Sequence, residues 1–329
     1  MILAGDVGGT KVNLGLFREE QGVPHPVTER SYISRDYANL TCLIEEFLEE
    51  YRPEVTHACL GVAGPVQDGR SKITHLPWTV DVRELKPLLK TESVSLINDL
   101  AALAYSIPYL PAADVETIQT GSRDANSAMA VLAAGTGLGQ AFLIPQSEGR
   151  YQALATEGGQ CDFAPRTELE ISLHDSIRRE LGRVAIEDVL SGPGLVRLYQ
   201  FFKERAQEPE PAELTAELQT QDAASVISRN ALSGKSRTCR EALEAFVSVY
   251  GAVAGNLVLQ MVAQGGVSLG GGIAPEILPL LKTGTFLEPF CDKGEFRDFM
   301  SQVPVQVILN KSAPLLGAAY FALGETRIR

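Results

Sequence analysis

The sequence predicts an α/β protein made of two similar halves that face each other across a cleft. Three observations point there. Short apolar strands alternate with amphipathic helical runs, glycine clusters follow three of the strands, and two of those clusters sit in hairpins of matching form far apart in the chain. With 329 residues, each half is large enough for a core of its own.

Taken in order, Ile2–Asp6 reads as a strand and Val12–Phe17 as its return, joined through Gly8, Gly9, Thr10 and Lys11. Two glycines allow a sharp turn and let backbone N–H groups approach a ligand closely. That suits a phosphate, and it suits an ordinary hairpin as well. A third strand is expected around Val27–Ile33. Leu40, Leu43, Ile44, Phe47 and Leu48 then share one face of a helix over Leu40–Tyr51. The strand "ACLGVAG", a helix around Val82–Leu89, the strand "VSLIND" and the helix "LAALAYSI" follow.

A second meander, Ser127–Ile144, repeats the opening: strand, glycine turn, strand, with Gly135 falling on Gly8. Beyond Arg166 the chain reads as mostly helical, including "GPGLVRLYQFFKER". "EPEPAELTAELQTQD" reads as an acidic surface segment broken by proline. Ala245–Pro275 carries no charged residue and is long enough to span a membrane. However, Asn256, Gln260 and Gln264 form a polar stripe at helical spacing, so a buried helix and a core strand are expected. "VPVQVILN" is read as a strand, and "APLLGAAYFAL" as a helix packing back on the first half. The expected domains are 1–109 with 306–329, and 110–305.

The formal net charge of −12 argues against nucleic acid or an anionic membrane as main partner. Any phosphate site must then rely on backbone dipoles, a metal ion and a few local cations. The five cysteines are scattered without a CxxC pair, which fits reduced thiols in the cytoplasm. None of the four histidines stands at zinc-ligand spacing from a cysteine, so no zinc is expected. The N-terminus lacks a basic stretch followed by an apolar core, and no secretory leader is expected.

Gly8-Gly9, Gly135-Thr136-Gly137 and Gly270-Gly271-Gly272 match neither the P-loop nor the GxGxxG spacing. Together, on two halves, they suggest a nucleotide gripped from both sides. In "LINDLAALA", Asn98 and Asp99 end a strand and begin a helix; Asp99 is either a base or a helix cap. Glu157 precedes two glycines in "ATEGGQCDFAP" with no helix to cap, and Glu180 lies in "RRELGRV". Carboxylates and amides with few cations suit a neutral polyhydroxylated ligand, because carboxylates accept hydrogen bonds from hydroxyls.

"GDVGGTK", "GVAGPV", "LPW", "LINDL", "AAGTGLG", "EGG-x-x-DFAP", "LSGPGL" and "GGGIAP" occur in the order seen in bacterial glucokinases. The chain resembles that family over nearly its whole length. The family belongs to the hexokinase, Hsp70 and actin ATPase superfamily, whose domains are actin-like, or ribonuclease H-like. The resemblance implies ATP-dependent phosphorylation of glucose at its 6-hydroxyl, with Mg²⁺. Asp6 and the turn Gly8, Gly9, Thr10, Lys11 resemble the first phosphate loop, with Asp6 acting through the metal's water shell. Gly135, Thr136 and Gly137 resemble the second, and Gly270, Gly271 and Gly272 the adenosine-side motif. Asn98, Asp99, Glu157, Gln160 and Glu180 fall on the glucose-binding positions, with Asp99 as the base; a homodimer is the expected assembly. The family usually has histidine at the position of Gln160 and asparagine at that of His75.

The expected mechanism is in-line attack by the 6-hydroxyl on the γ-phosphate, with water excluded when the halves close on sugar. The main alternative is a kinase for mannose, fructose or an amino sugar. A sugar-sensing regulator is not expected, because it would need a DNA-binding helix-turn-helix and the first strand is read from residue 2. An actin- or Hsp70-like module would not need the Asn98, Asp99, Glu157 and Glu180 set.

Overall fold

A computed structural model describes residues 1–73, 76–147, 150–206 and 210–325; His75 lies outside them. The chain forms two compact units. One is 1–111 with 141–155 and 310–329, the other 112–140 with 156–309.

In the first unit, β1 (Ile2–Val7), β2 (Lys11–Glu20), β3 (Val23–Ile33) and β4 (His57–Val62) precede a small hairpin of β5 (Arg70–Lys72) and β6 (Thr79–Asp81), then β7 (Val94–Asn98). The main sheet runs β3-β2-β1-β4-β7. β1 pairs antiparallel with β2 and parallel with β4, and β4 parallel with β7. β3 starts at Val23, four residues before the expected start, and carries Pro24 and Pro26. Prolines are tolerated there because β3 is an edge strand, where a missing N–H need not leave a gap in the ladder. The tight β2–β3 turn places Gln21 and Gly22 at φ 54° and 79°, the handedness that suits a two-residue hairpin.

Alternation along β1 sorts its side chains to two cores. Leu3 and Val7 join Leu43, Ile44 and Phe47 of α1 (Leu40–Tyr51), and Leu85 and Leu89 of α2 (Val82–Leu89). Ile2 and Ala4 join Ala102 of α3 (Asp99–Ser106) and Leu315, Ala318 and Ala319 of the C-terminal helix Ala313–Glu325. The sheet is buried on both faces, as near-continuous apolar strands require. Gly317 sets the helix contact: a Cβ there would lie 1.8 Å from the Ala102 carbonyl oxygen.

The second sheet runs β11-β10-β9-β12-β13-β8, from β8 (Val115–Gln119), β9 (Met129–Ala134), β10 (Leu138–Pro145), β11 (Tyr151–Thr156), β12 (Val267–Gly270) and β13 (Val305–Ile308). Apart from the edge strand β8, it repeats the first sheet's order: third, second, first, fourth, fifth. This is the structural form of the two-copy pattern. Hydrogen bonding to β12 and β8 carries β13 in this sheet, whereas the expected domain bounds divide it.

Helices α4 (Glu168–Leu181), α5 (Gly192–Arg205), α6 (Ala212–Thr220), α7 (Ala223–Leu232) and α8 (Arg237–Met261) lie in the second unit. Within the expected proline-broken surface segment, of which Glu208 and Pro209 lie outside the described residues, α6 forms after Pro211. Pro211 sits before the helix, where a missing N–H costs nothing, and Leu214 is buried. By length and composition α8 could cross a membrane, but 72% of its apolar window is buried inside the protein. It is a core helix followed by a core strand. Gly251 lets it approach Phe286, whose carbonyl oxygen lies 2.1 Å from where a Cβ would be.

Candidate active site

β1 carries Asp6 to its C-terminal end, across from Asn13 of β2. Asn13 donates Nδ2 to Asp6 Oδ2 at 3.1 Å, and Ser31 Oγ donates to Asn13 Oδ1 at 2.5 Å, which orients the amide. Burial pushes the Asp6 carboxyl above its ordinary range, opposed by the Asn13 hydrogen bond and the Lys11 charge. A carboxylate held this way gains from a cation brought near it. The turn that follows is closed by Gly8 N–H donating to Lys11 O at 2.9 Å. Neither Gly8 nor Gly9 has positive φ, so the pair is not required by a left-handed backbone. Both glycines are half-buried, with Thr10 and Lys11 exposed beside them.

At the end of β7, Asn98 and Asp99 divide the work of starting α3. Asn98 is the cap: its Oδ1 accepts from Leu100 N–H at 2.9 Å and Ala101 N–H at 3.4 Å, and its Nδ2 donates to Gly64 O at 3.4 Å. Asp99 is the first helical residue, and its Oδ1 also accepts from Leu100 N–H at 2.9 Å. Gly61 of β4 allows this close approach, since a Cβ there would meet Ala102 Cβ at 2.9 Å and Asp99 Cα at 3.5 Å.

The structure brings the second and third glycine clusters together, because β9 and β12 are parallel neighbours with Gly270 level with Ala133. Gly271 is needed twice over. Its φ is +81°, and a Cβ would lie 2.3 Å from the Ala134 carbonyl oxygen. Gly135 and Gly272 differ: φ is not positive at either, and a Cβ would meet nothing within 4 Å. Neither backbone conformation nor packing in the protein itself asks for glycine there. Gly135 N–H donates to Gly137 O at 2.9 Å, closing this turn as Gly8 N–H closes the first.

Glu157 and Gln160 are exposed at either end of a short 3₁₀ turn, tied by Gln160 N–H donating to Glu157 O at 3.0 Å. Gly159 is demanded by β10, since a Cβ there would lie 2.2 Å from the Leu138 carbonyl oxygen; a Cβ on Gly158 would meet the movable end of the Gln140 side chain at 2.0 Å. Gln160 Nε2 donates to Glu187 Oε1 at 3.0 Å, while Glu187 Oε2 accepts from Leu138 N–H at 2.7 Å. Glu187 thus joins the glycine turn to the Glu157–Gln160 arm, and no sequence motif singled it out. Glu180 is exposed in the last turn of α4, and no hydrogen bond or ion pair ties it to Glu157 or Gln160. A signal was available: Glu187 stands just before "LSGPGL", where Ser191 Oγ donates to Glu187 O at 2.7 Å and caps α5 by accepting from Gly194 N–H at 3.1 Å.

A family model described as Glucokinase matches residues 3–325. The chain belongs to the glucokinase family. A glucokinase from Synechocystis sp. is 40% identical over 344 residues, covering 97% of each chain. One from Nostoc sp. is 39% identical over 340 residues, covering 98% of each. The crystal structure of a glucokinase from an Antarctic psychrotroph is 32% identical, with a TM-score of 0.83 and 98% of both chains covered. As a glucokinase-family member the chain is a sugar kinase with the actin-like ATPase fold.

Among the described residues of this glucokinase-family chain, no group of three or more His, Cys, Asp or Glu side chains could cage a metal. Mg²⁺ that arrives on a nucleotide needs no cage, because phosphates and water supply most of its ligands and one or two carboxylates suffice. Asp6, a single partly buried carboxylate beside an exposed turn, fits that requirement.

Proposed function

We propose that the chain is a glucokinase, an ATP:glucose 6-phosphotransferase producing glucose 6-phosphate and ADP. The observation that carries this reading is the arrangement at Asn98 and Asp99. Asn98 caps α3 through two N–H groups, so the helix does not depend on Asp99 alone for its cap, and Asp99 stands at a strand end as a base would. The family's name supplies the substrate.

Asp99 would accept the proton of the 6-hydroxyl as that oxygen attacks the γ-phosphate in line, the ADP oxygen leaving on the far side. Backbone N–H groups of the turns at Gly8–Lys11 and Gly135–Gly137 would hold phosphate oxygens, and Gly270–Gly272 would leave room on the adenosine side. Asp6 would hold a water of Mg²⁺, which when bound neutralises phosphate charge. Asn98, Glu157 and Gln160 would bind the remaining hydroxyls. Glu187, tied to Gln160, is better supported than Glu180 as the further carboxylate of this set. All five cysteines are free thiols, which supports a cytoplasmic location.

A coupled assay of hexoses against ATP, ADP and polyphosphate tests the reading. Glucose with ATP should give the highest kcat/KM. Because Gln160 stands where the family usually has histidine, mannose, fructose and an amino sugar are the informative competitors. A tenfold preference for one of them, or for another donor, would overturn the glucose or ATP assignment.

A further inference from the structure

We propose that Ser34 is a positioning residue of the first glycine turn, aiming its peptide N–H at the nucleotide's phosphates. Ser34 follows β3 directly, and the pairing of Lys11 with Ile33 brings it level with Thr10. Its side chain and its backbone both reach the turn. Ser34 Oγ donates to the Gly8 carbonyl oxygen at 3.0 Å, and Ser34 N–H donates to the Thr10 carbonyl oxygen at 3.0 Å. The residue is completely buried, so no water competes for these bonds.

The consequence follows from peptide geometry. In a trans peptide the C=O and the N–H of the next residue point in opposite directions. Holding Gly8 O toward Ser34 therefore turns Gly9 N–H the other way. That N–H makes no hydrogen bond among the described residues. A Gly-Gly peptide has little steric reason to keep one orientation; without the hydroxyl it is free to flip and present an oxygen to the phosphate.

The second turn uses the same device with a different donor. Gly192 N–H donates to the Gly135 carbonyl oxygen at 2.8 Å, which turns Thr136 N–H outward, and Thr136 N–H likewise has no partner among the described residues. Gly192 is held in turn by α5, which Ser191 caps. Two turns of independent sequence thus both have their first carbonyl tied back. That recurrence is expected if each must offer N–H groups to an anion.

This inference rests on the nucleotide reading of the first turn, and the experiment separates the two. Calorimetric titration of wild type, Ser34→Ala and Ser34→Thr with Mg·ADP and with glucose is read well below each variant's Tm. Ser34→Ala should weaken ADP binding and raise KM for ATP about three- to tenfold, the range for one neutral hydrogen bond. Glucose affinity should stay within about twofold, and Ser34→Thr, which restores the hydroxyl, should recover nucleotide affinity. Equal losses for ADP and glucose, or ADP affinity unchanged in Ser34→Ala, would overturn the proposal and leave Ser34 a structural residue. If wild type itself binds neither ADP nor ATP, the nucleotide reading fails and the proposal with it.

Discussion

Gln160 donates its side-chain amide to Glu187 at 3.0 Å, and the same carboxylate accepts the Leu138 N–H at 2.7 Å. That bond uses one of the two N–H donors on Nε2, so the side chain keeps one donor and its carbonyl acceptor for other partners. Gln160→His should change glucose KM several-fold at most, with kcat nearly constant, because such a contact is made in ground and transition states alike. The new imidazole would lie beside a carboxylate, which favours its charged form and moves its titration above the ordinary value of about 6.5. A KM profile measured from about pH 5.5 to 8.5 should therefore bend in the variant. A flat profile in both proteins would show that residue 160 does not face the sugar.

Neighbouring residues at the start of α3 should separate stability from chemistry. Asn98→Ala removes a cap serving two N–H groups and should cost about 1–2 kcal/mol in urea unfolding. Asp99→Asn keeps that cap, so its unfolding midpoint should move little. Its kcat should fall about 10²-fold or more while glucose affinity is largely kept. Near-normal turnover in a well-folded Asp99→Asn protein would remove Asp99 as the base.

Asp6 should show a trade-off between stability and function. Burial raises its carboxyl above the ordinary 3.8, so the folded state binds this proton more tightly than the unfolded one. The group's contribution favours folding below 3.8 and is lost as pH rises through the raised folded value. Asp6→Asn removes that dependence. Its Tm should match wild type in strong acid and exceed it increasingly toward neutrality. Activity at neutral pH should fall about tenfold or more, the usual scale for losing a partner of a metal-bound group. Thermal scans across pH on the nucleotide-free protein check the first part, and a Tm below wild type at neutral pH would contradict it.

The glycines of the second and third clusters divide by cause. Gly271→Ala forces an L-residue to φ +81° and a Cβ to 2.3 Å from the Ala134 carbonyl oxygen, so a loss of at least about 1–2 kcal/mol is expected. Gly135→Ala meets nothing within 4 Å at ordinary φ and should unfold like wild type or slightly later. Its effect should fall on the nucleotide, as a raised KM for ATP with glucose KM unchanged. Calorimetry and steady-state kinetics on the two variants make the comparison.

What local pattern could determine, the sequence determined. Short apolar runs beside glycine turns located β1, β2 and β9, and the helical spacing of Leu40, Leu43, Ile44 and Phe47 located α1, because these signals arise from backbone geometry within one element. The glycine hairpins were legible as a two-copy plan, and the sheets repeat the same strand order around them. Asn98 and Asp99 were legible as a pair; which of them caps α3 was not, since either side chain can do it.

The rest depended on contacts between residues distant in sequence. Ser34 reaches Gly8 across 26 positions, and Gln160 reaches Glu187 across 27. Sheet register and the path of the chain before α5 produce those meetings, and neither leaves a local periodicity to read. Glu180 and Glu187 look alike as isolated acids; the fold exposes one on α4 and ties the other to Leu138 and Gln160. The glycines tell the same story. Composition marks them all as permissive, but only packing separates Gly271, held against a carbonyl oxygen, from Gly135, which opens onto empty space. Hydrogen bonds and steric room are properties of neighbours in three dimensions, and those neighbours exist only once the chain has folded.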